Sequence, residues 1–553
     1  MMGMRCLGAL TMAAAVTVAV AGCTKTGGVG QTGTPGAGAP PAAHEPHVLV
    51  YADGQNFKSL NPHLDSALSL GLLSQLSMAY LVRYDAHNMP TPELVTEIPT
   101  QQNGGISKDG KSITWHLRRD VKWSDGAPFD GDDVVFSTNA VNNPKNNEIG
   151  RDGWDLITKI DEPDKFTVVF HLKKPFAAYL PTFFGSAGAN PCVLPAHILG
   201  NLPDFNTAPY NSLPVGIGPF RYVRWARGDR VELEANPYYW RGQPKLKKVI
   251  YKQIPDNNTL LTQLTTGEID LWPFVGTAFY DRVKAIPNRT VLSDPGFLYA
   301  HIDFNTSHPI LSDVRVRRAL RFAIDRDAIN QKVFHNIPSA QESPVSPVSP
   351  AYHEFARIPY DPAQANALLD SAGWSQKGPD GIRVKAGGRL SLEYAIYSGV
   401  PAADTMIELI RTMWKQVGVD VSVRHYETGL FFALAQNGGI VYGGKFDVTS
   451  FSWLGDVIGD ISAQYACTMM PPNGQDIPRW CDKQFDADMA HFKALYSFEE
   501  RQPYLNDAVG RIIDQVPVIV VDISKNIHAF KTELTGFHPN GQTAFDDFMN
   551  VDI

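Results

Sequence analysis

Apolar and polar side chains alternate with period two in His47-Val48-Leu49-Val50-Tyr51, in Ser112-Ile113-Thr114-Trp115-His116-Leu117 and in Phe166-Thr167-Val168-Val169-Phe170-His171-Leu172, each bounded by turn residues. Successive side chains of a strand point to opposite faces, so this spacing predicts three half-buried strands. Later in the chain a helical period takes over, from Val314 to Phe334, Pro362 to Ala372 and Ala402 to Val417. Gly373 and Gly418 supply stop signals for the last two. The helix that ends at Gly418 runs directly into the alternating segment Val419-Asp420-Val421-Ser422-Val423, an α-to-β unit of the kind that builds mixed sheets. The predicted class is therefore α/β, with strands and helices interleaved. Alternation from Phe446 to Trp453 predicts one more strand, with Trp453 on the face of Phe451 and Asp456 in the turn just beyond. No repeat with a period of about 20 to 50 residues is visible, which argues against solenoids and propellers.

The amino terminus changes this picture. Arg5 precedes an uncharged, mostly apolar stretch from Leu7 to Ala21 that is short for a bilayer span and reads as a signal peptide. Val20-Ala21-Gly22-Cys23 follows and resembles the bacterial lipobox, which implies that Cys23 becomes the acylated first residue of the mature chain. Thr24 to Pro46 is Gly, Pro, Ala and Thr with almost no bulky apolar side chains, so it cannot bury enough surface to offset its chain entropy and reads as a flexible tether. No later stretch has the run of about 18 apolar residues that a transmembrane helix requires.

The remaining length exceeds what one hydrophobic core supports and favours two or three domains. The excess of 57 acidic over 49 basic residues is too small to suggest nucleic acid as a partner. Cys6 leaves with the signal peptide and Cys23 carries lipid, which leaves Cys192, Cys467 and Cys481. In an oxidising compartment the last two suit a disulfide; a zinc site is the rival reading, although neither has a second ligand at metal spacing. Cys192, among proline and small apolar residues, reads as a buried thiol. Ser343-Pro344-Val345-Ser346-Pro347-Val348-Ser349-Pro350 reads as a structural loop stiffened by proline, and Arg315, Arg317 and Arg318 as a solvated helix face with local acidic partners. His-Glu-x-x-His, Gly-x-Ser-x-Gly and P-loop motifs are absent, so no catalytic residue, cofactor or metal is assigned.

Several segments are similar to one family. They include Ser59-Leu60-Asn61-Pro62, Leu81-Val82-Arg83-Tyr84-Asp85, and the run from Thr114 through Trp123-Ser124-Asp125-Gly126 to Phe129, closing on Asp132-Asp133-Val134-Val135-Phe136. Further on come Val215-Gly216-Ile217-Gly218-Pro219-Phe220, Asn236-Pro237-Tyr238-Tyr239-Trp240 and Thr266-Gly267-Glu268-Ile269-Asp270. Together they resemble the peptide-type extracellular solute-binding proteins of ABC transporters, solute-binding family 5. The resemblance implies a two-lobed periplasmic-binding-protein fold with a hinge and an additional inserted domain. On that frame residues 1–22 are signal peptide, 23–46 tether, 47–86 with 212–300 and 527–553 the first lobe, 87–211 the extra domain, and 301–526 the second lobe.

The resemblance also implies a role for Trp453-Leu454-Gly455-Asp456: in peptide-binding relatives a Trp-x-x-Asp here supplies the carboxylate that pairs with the peptide's α-ammonium. Asp456 and Trp453 are thus the candidate ligand-binding residues. The next residues, Gly459-Asp460-Ile461-Ser462, depart from the family's Asp-Pro-Asp-Asn, which leaves Asp460 as a rival and a plain turn aspartate as the bland alternative. Cys467 and Cys481 resemble the disulfide loop of the dipeptide-binding subgroup. The implied protein is a monomer, lipid-anchored in the periplasm or on the extracytoplasmic face, that passes short peptides to permease subunits. The alternatives are the same fold binding a metal chelate, haem or oligosaccharide, and, less favoured, a peptide-processing enzyme.

Overall fold

The computed structural model describes residues 45–151, 153–186, 191–337, 340–385, 388–545 and 547–553. Cys23, the signal segment and almost all of the tether lie outside the described residues.

Ten strands form one mixed sheet: β1 (Val48–Asp53), β2 (Phe220–Ala226), β3 (Arg230–Ala235), β4 (Lys248–Gln253), β5 (Leu271–Trp272), β6 (Arg289–Phe304), β7 (Ser391–Tyr397), β8 (Asp420–Tyr426), β9 (Val448–Leu454) and β10 (Val518–Lys531). Side by side they run β8-β7-β9-β6-β10-β5-β1-β4-β3-β2. The helices that matter below are α1 (Leu68–Ser77), α2 (Gly131–Asn142), α3 (Val314–Phe322), α4 (Arg326–Val333), α5 (Pro362–Ser371), α6 (Pro401–Gln416), α7 (Lys483–Ala494) and α8 (Phe498–Gln515).

Separate apolar clusters divide the protein into parts. One, around Leu49, Tyr51, Tyr251 and Phe545, sits on β1, β3 and β4 with α1. Another, around Ile302, Trp414 and Ile519, sits on β6, β7 and β9 with α3, α5 and α6. A third, around Trp115, Trp123 and Phe170, belongs to a separate three-stranded sheet, in which Ser112–His116 and Ile157–Asp164 flank Thr167–Leu172, and to α2. The architecture is the two-lobed, mixed-sheet one that the family resemblance implies.

The first two clusters share only the two longest strands. β6 has 16 residues and β10 has 14, against the usual five or so. They pair antiparallel throughout, but between Pro295/Lys525 and Tyr299/Ile523 the register shifts, so that Gly296, Phe297 and Leu298 stand against Ser524 alone. A bulge of this kind bends the strand that carries it and interrupts the ladder. Gly296 is needed there, because a Cβ on it would lie 2.7 Å from Asn526 Oδ1.

Two local expectations are corrected and two others hold. The apolar period from Val314 to Phe334 is two helices, α3 and α4, because the Asp325 side chain accepts from Ala328 N (2.9 Å) and starts a second one. Arg315 and Arg318 pair with Asp313 (2.7 Å) and Asp514 (2.6 Å) as expected for a solvated face, but Arg317 is buried. Its guanidinium donates to Gln515 O (2.6 Å) and Val516 O (3.0 Å), carbonyls at the end of α8, and to Leu311 O (2.6 Å). A cation there satisfies acceptors that a helix end leaves open. The serine-proline segment 343–350 is a structural loop, but one threaded largely through the interior: Ser346 Oγ donates to Gly296 O (2.6 Å), behind the bulge, and Ser349 Oγ to Val457 O (2.7 Å). Cys467 and Cys481 form a disulfide with Cα atoms 4.5 Å apart, and Cys192 is a buried free thiol.

Candidate ligand-binding site

β9 places the Trp-Leu-Gly-Asp segment at the bulge. Trp453 pairs in register with Tyr299 of β6, and Gly455 N donates to Phe297 O (2.8 Å), which pins the strand end. Strand alternation then separates two neighbours. The Trp453 ring is stacked on buried His301 (centroids 6.2 Å, 11° between planes) and meets Phe451 edge-on at 5.1 Å. Leu454 points to the other face, is 68% exposed, and walls a cavity of about 540 Å³ between the lobes. Leu68 and Leu72 of α1, Phe274, and Phe297 and Leu298 of the bulge complete the apolar lining, with Lys525 of β10 beside them. Trp453 is not part of that lining.

Asp456 follows in a turn. Its Oδ1 accepts from Ile458 N (2.8 Å) and Asp460 N (3.1 Å), while Oδ2 has no hydrogen-bond partner among the described residues. Asp460 is tied more locally: its Oδ1 accepts from Ser462 N (2.9 Å) and Ser462 Oγ (2.6 Å), at the start of a short helical turn. Burial, reinforced by the neighbouring Asp460 charge, raises the Asp456 pKa to about 6, against the opposing pull of the two turn amides and of Arg501.

Arg501, on the buried face of α8, is the counter-charge. It stacks over Phe498 (3.9 Å), and Nε and Nη1 are buried without an acceptor. Burial lowers its pKa to about 10, and Asp456, Tyr179 and Asp460 pull it back up. Tyr84 approaches from the other lobe with a buried, unpartnered hydroxyl, whose pKa is raised by burial and by the Asp456 charge. The Tyr84 carbonyl accepts from Asn540 Nδ2 (3.3 Å), next in sequence to residues 541–543 of the cavity lining, and Asp456 lies two residues beyond cavity-lining Leu454. A further contact holds the parts together: Tyr496 OH donates to Gly110 O (2.7 Å) and accepts from Phe176 N (3.0 Å).

The arrangement can hold a cation at a half-free carboxylate and an apolar group beside it. Arg501 escaped the sequence reading, although a signal exists: Arg501, Leu505, Val509 and Ile512 are buried along one helix face, a spacing that places an arginine on an apolar stripe. Tyr84 stood in a family motif with no role attached. Nothing in the local pattern of β10 marks Lys525.

A mixed-sheet, two-lobed protein joined through two long strands, with a cavity beside their bulge, has the periplasmic binding-protein architecture. More specifically, the chain belongs to the bacterial extracellular solute-binding proteins, family 5, whose middle-region model matches residues 90–470. It is 25% identical over 503 residues to the dipeptide-binding protein of Escherichia coli, covering 84% of this chain and 90% of that one. It is 29% identical over 332 residues to the oligopeptide-binding protein AppA of Bacillus subtilis, an alignment that spans 59% of each. Among solved structures, NikZ of Campylobacter jejuni in complex with Ni(L-His) superposes with a TM-score of 0.72 at 26% identity, covering 91% of this chain and 98% of that one.

Proposed function

We propose that this protein is the substrate-binding subunit of an ABC importer that captures short peptides by hinge closure and delivers them to a permease, and that it is not an enzyme. The observation that carries the reading is Asp456: a carboxylate two residues beyond cavity-lining Leu454, with one oxygen fixed by the turn and the other without a hydrogen-bond partner among the described residues. Relatives named as dipeptide- and oligopeptide-binding proteins support it. We assign residues 47–86, 212–300 and 527–553 to the first lobe, 87–211 to the extra domain and 301–526 to the second lobe. In this reading the lobes bend at the bulge of β6 and enclose the peptide. Asp456 takes its α-ammonium, Trp453 is the aromatic ligand-binding residue beside it, and Arg501 keeps Asp456 charged in a poorly solvated place. The same fold binding a metal chelate, as in the structure of NikZ of Campylobacter jejuni with Ni(L-His), is the lesser reading. A thermal-shift screen decides between them: di- and tripeptides should raise the melting temperature, whereas a shift with nickel-histidine or haem and none with peptides would contradict the proposal.

The raised pKa of Asp456 makes binding pH-dependent. Pairing with an ammonium needs the carboxylate, so affinity for a free peptide should fall as pH drops through about 6, approaching tenfold per pH unit below it. The stability of the unliganded protein moves the other way. A carboxyl whose folded pKa lies above its unfolded value of about 3.9 favours the folded state increasingly as pH falls from about 6 towards 4. Titration calorimetry across this range should show the loss of affinity in the wild type and a flat profile in Asp456→Asn.

We further propose that Cys23 is acylated and tethers the protein to a membrane in the periplasm or at the extracytoplasmic face, as a monomer. A Cys23→Ser protein should move to the soluble fraction; continued partition with membranes would count against the anchor.

A further inference from the structure

Among the described residues, Lys525 is the only charged side chain in the lining of the interlobe cavity. It is half-buried, and among the described residues its ammonium has neither a carboxylate in ion-pair reach nor a hydrogen-bond acceptor. Two other cations of this region are matched by carboxylates: Lys531, on the same strand, pairs with Asp270 at 2.6 Å, and Arg326 pairs with Glu342. The surroundings of Lys525 are apolar. Leu68, Leu298 and Leu454 are 43%, 41% and 68% exposed, so three large aliphatic side chains are offered to the same space. An ammonium partly withdrawn from water beside such a wall is unfavourable until an anion arrives. Lys525 is also placed where closure acts, because Pro295↔Lys525 is the last regular pair before the bulge that carries Phe297 and Leu298.

We infer that Lys525 receives the carboxylate of the ligand and that the cavity takes the apolar side chain next to it. This inference rests on the peptide reading of the site and narrows it. The cargo is a short peptide with a free carboxyl terminus and a large aliphatic or aromatic residue near that end. Asp456 and Lys525 then hold opposite charges of one zwitterion, and their separation limits its length. A volume of about 540 Å³ is of the size that encloses a small ligand.

The test uses calorimetry on the whole mature protein with a fixed set of probes: alanyl-phenylalanine, leucyl-leucine and alanyl-alanyl-phenylalanine, each as free acid and as carboxyl-terminal amide. Wild type should bind the best free acid about tenfold or more tightly than its amide, the loss expected for a charge-assisted hydrogen bond. Lys525→Met should abolish that preference by weakening the acid and leaving the amide unchanged, and Lys525→Arg should keep it. An unchanged melting temperature in Lys525→Met separates a ligand role from a structural one. If wild type binds acid and amide equally, or Lys525→Met keeps the preference, Lys525 is not the anion site and the peptide reading stands. If no probe binds in either form while nickel-histidine or haem does, the peptide reading fails and this inference falls with it.

Discussion

Asp456→Asn should weaken binding of a free short peptide by about 30- to several-thousand-fold and leave its N-acetylated form almost unaffected. The acetylated peptide should already bind wild type poorly. Asparagine keeps an oxygen for the Ile458 and Asp460 amides, so the turn survives and the change isolates the charge. What is lost is the partner of an ammonium withdrawn from water, which costs on the order of 2–5 kcal/mol in desolvated charge pairs; about 1.4 kcal/mol corresponds to each factor of ten. Asp460→Asn should have a small effect by comparison, because the Asp460 oxygen that is engaged serves Ser462. Calorimetry with both peptide forms checks this. Equal wild-type affinity for the free and acetylated peptides would remove Asp456 from the role, and a large loss in Asp460→Asn alone would transfer it there.

The second large effect is on stability. The Cys467–Cys481 disulfide closes a loop with a sequence separation of 14. For a loop of about 15 residues, cross-linking restricts the unfolded chain by roughly 3 kcal/mol on the chain-entropy model. The loop also contains Trp480, packed at 5.4 Å on Phe485 of α7, and Asp476, whose Oδ1 accepts from Trp480 N at 3.3 Å. The double variant Cys467→Ser, Cys481→Ser should therefore unfold at a lower denaturant midpoint than wild type. An unchanged midpoint under non-reducing conditions would show that the bond contributes nothing.

Local pattern accounts for much of what was legible in the chain. The period-two run to Trp453 and the glycine after Leu454 place Asp456 in a turn at a strand end, and that is where it lies. The helix ends at Ser371 and Gln416 follow from glycines just beyond them. What escaped is non-local. The register shift in β6 arises from pairing with a strand more than two hundred residues later, which no short window displays. Arg317 and Arg501 look like surface cations until α8 and its neighbours cover them. The break at Asp325 was present as an aspartate in capping position, but the apolar period running across it was the stronger signal. Trp453 and Leu454 divide two environments between adjacent residues, and only the packed sheet shows which of them faces the cavity.

Native mass spectrometry of protein purified without unfolding, followed by acid release and sequencing of whatever leaves, addresses the central claim most directly. A population carrying short peptides with free amino termini is expected, depleted in Asp456→Asn. Haem, a metal chelate or an oligosaccharide as the only released species would contradict it.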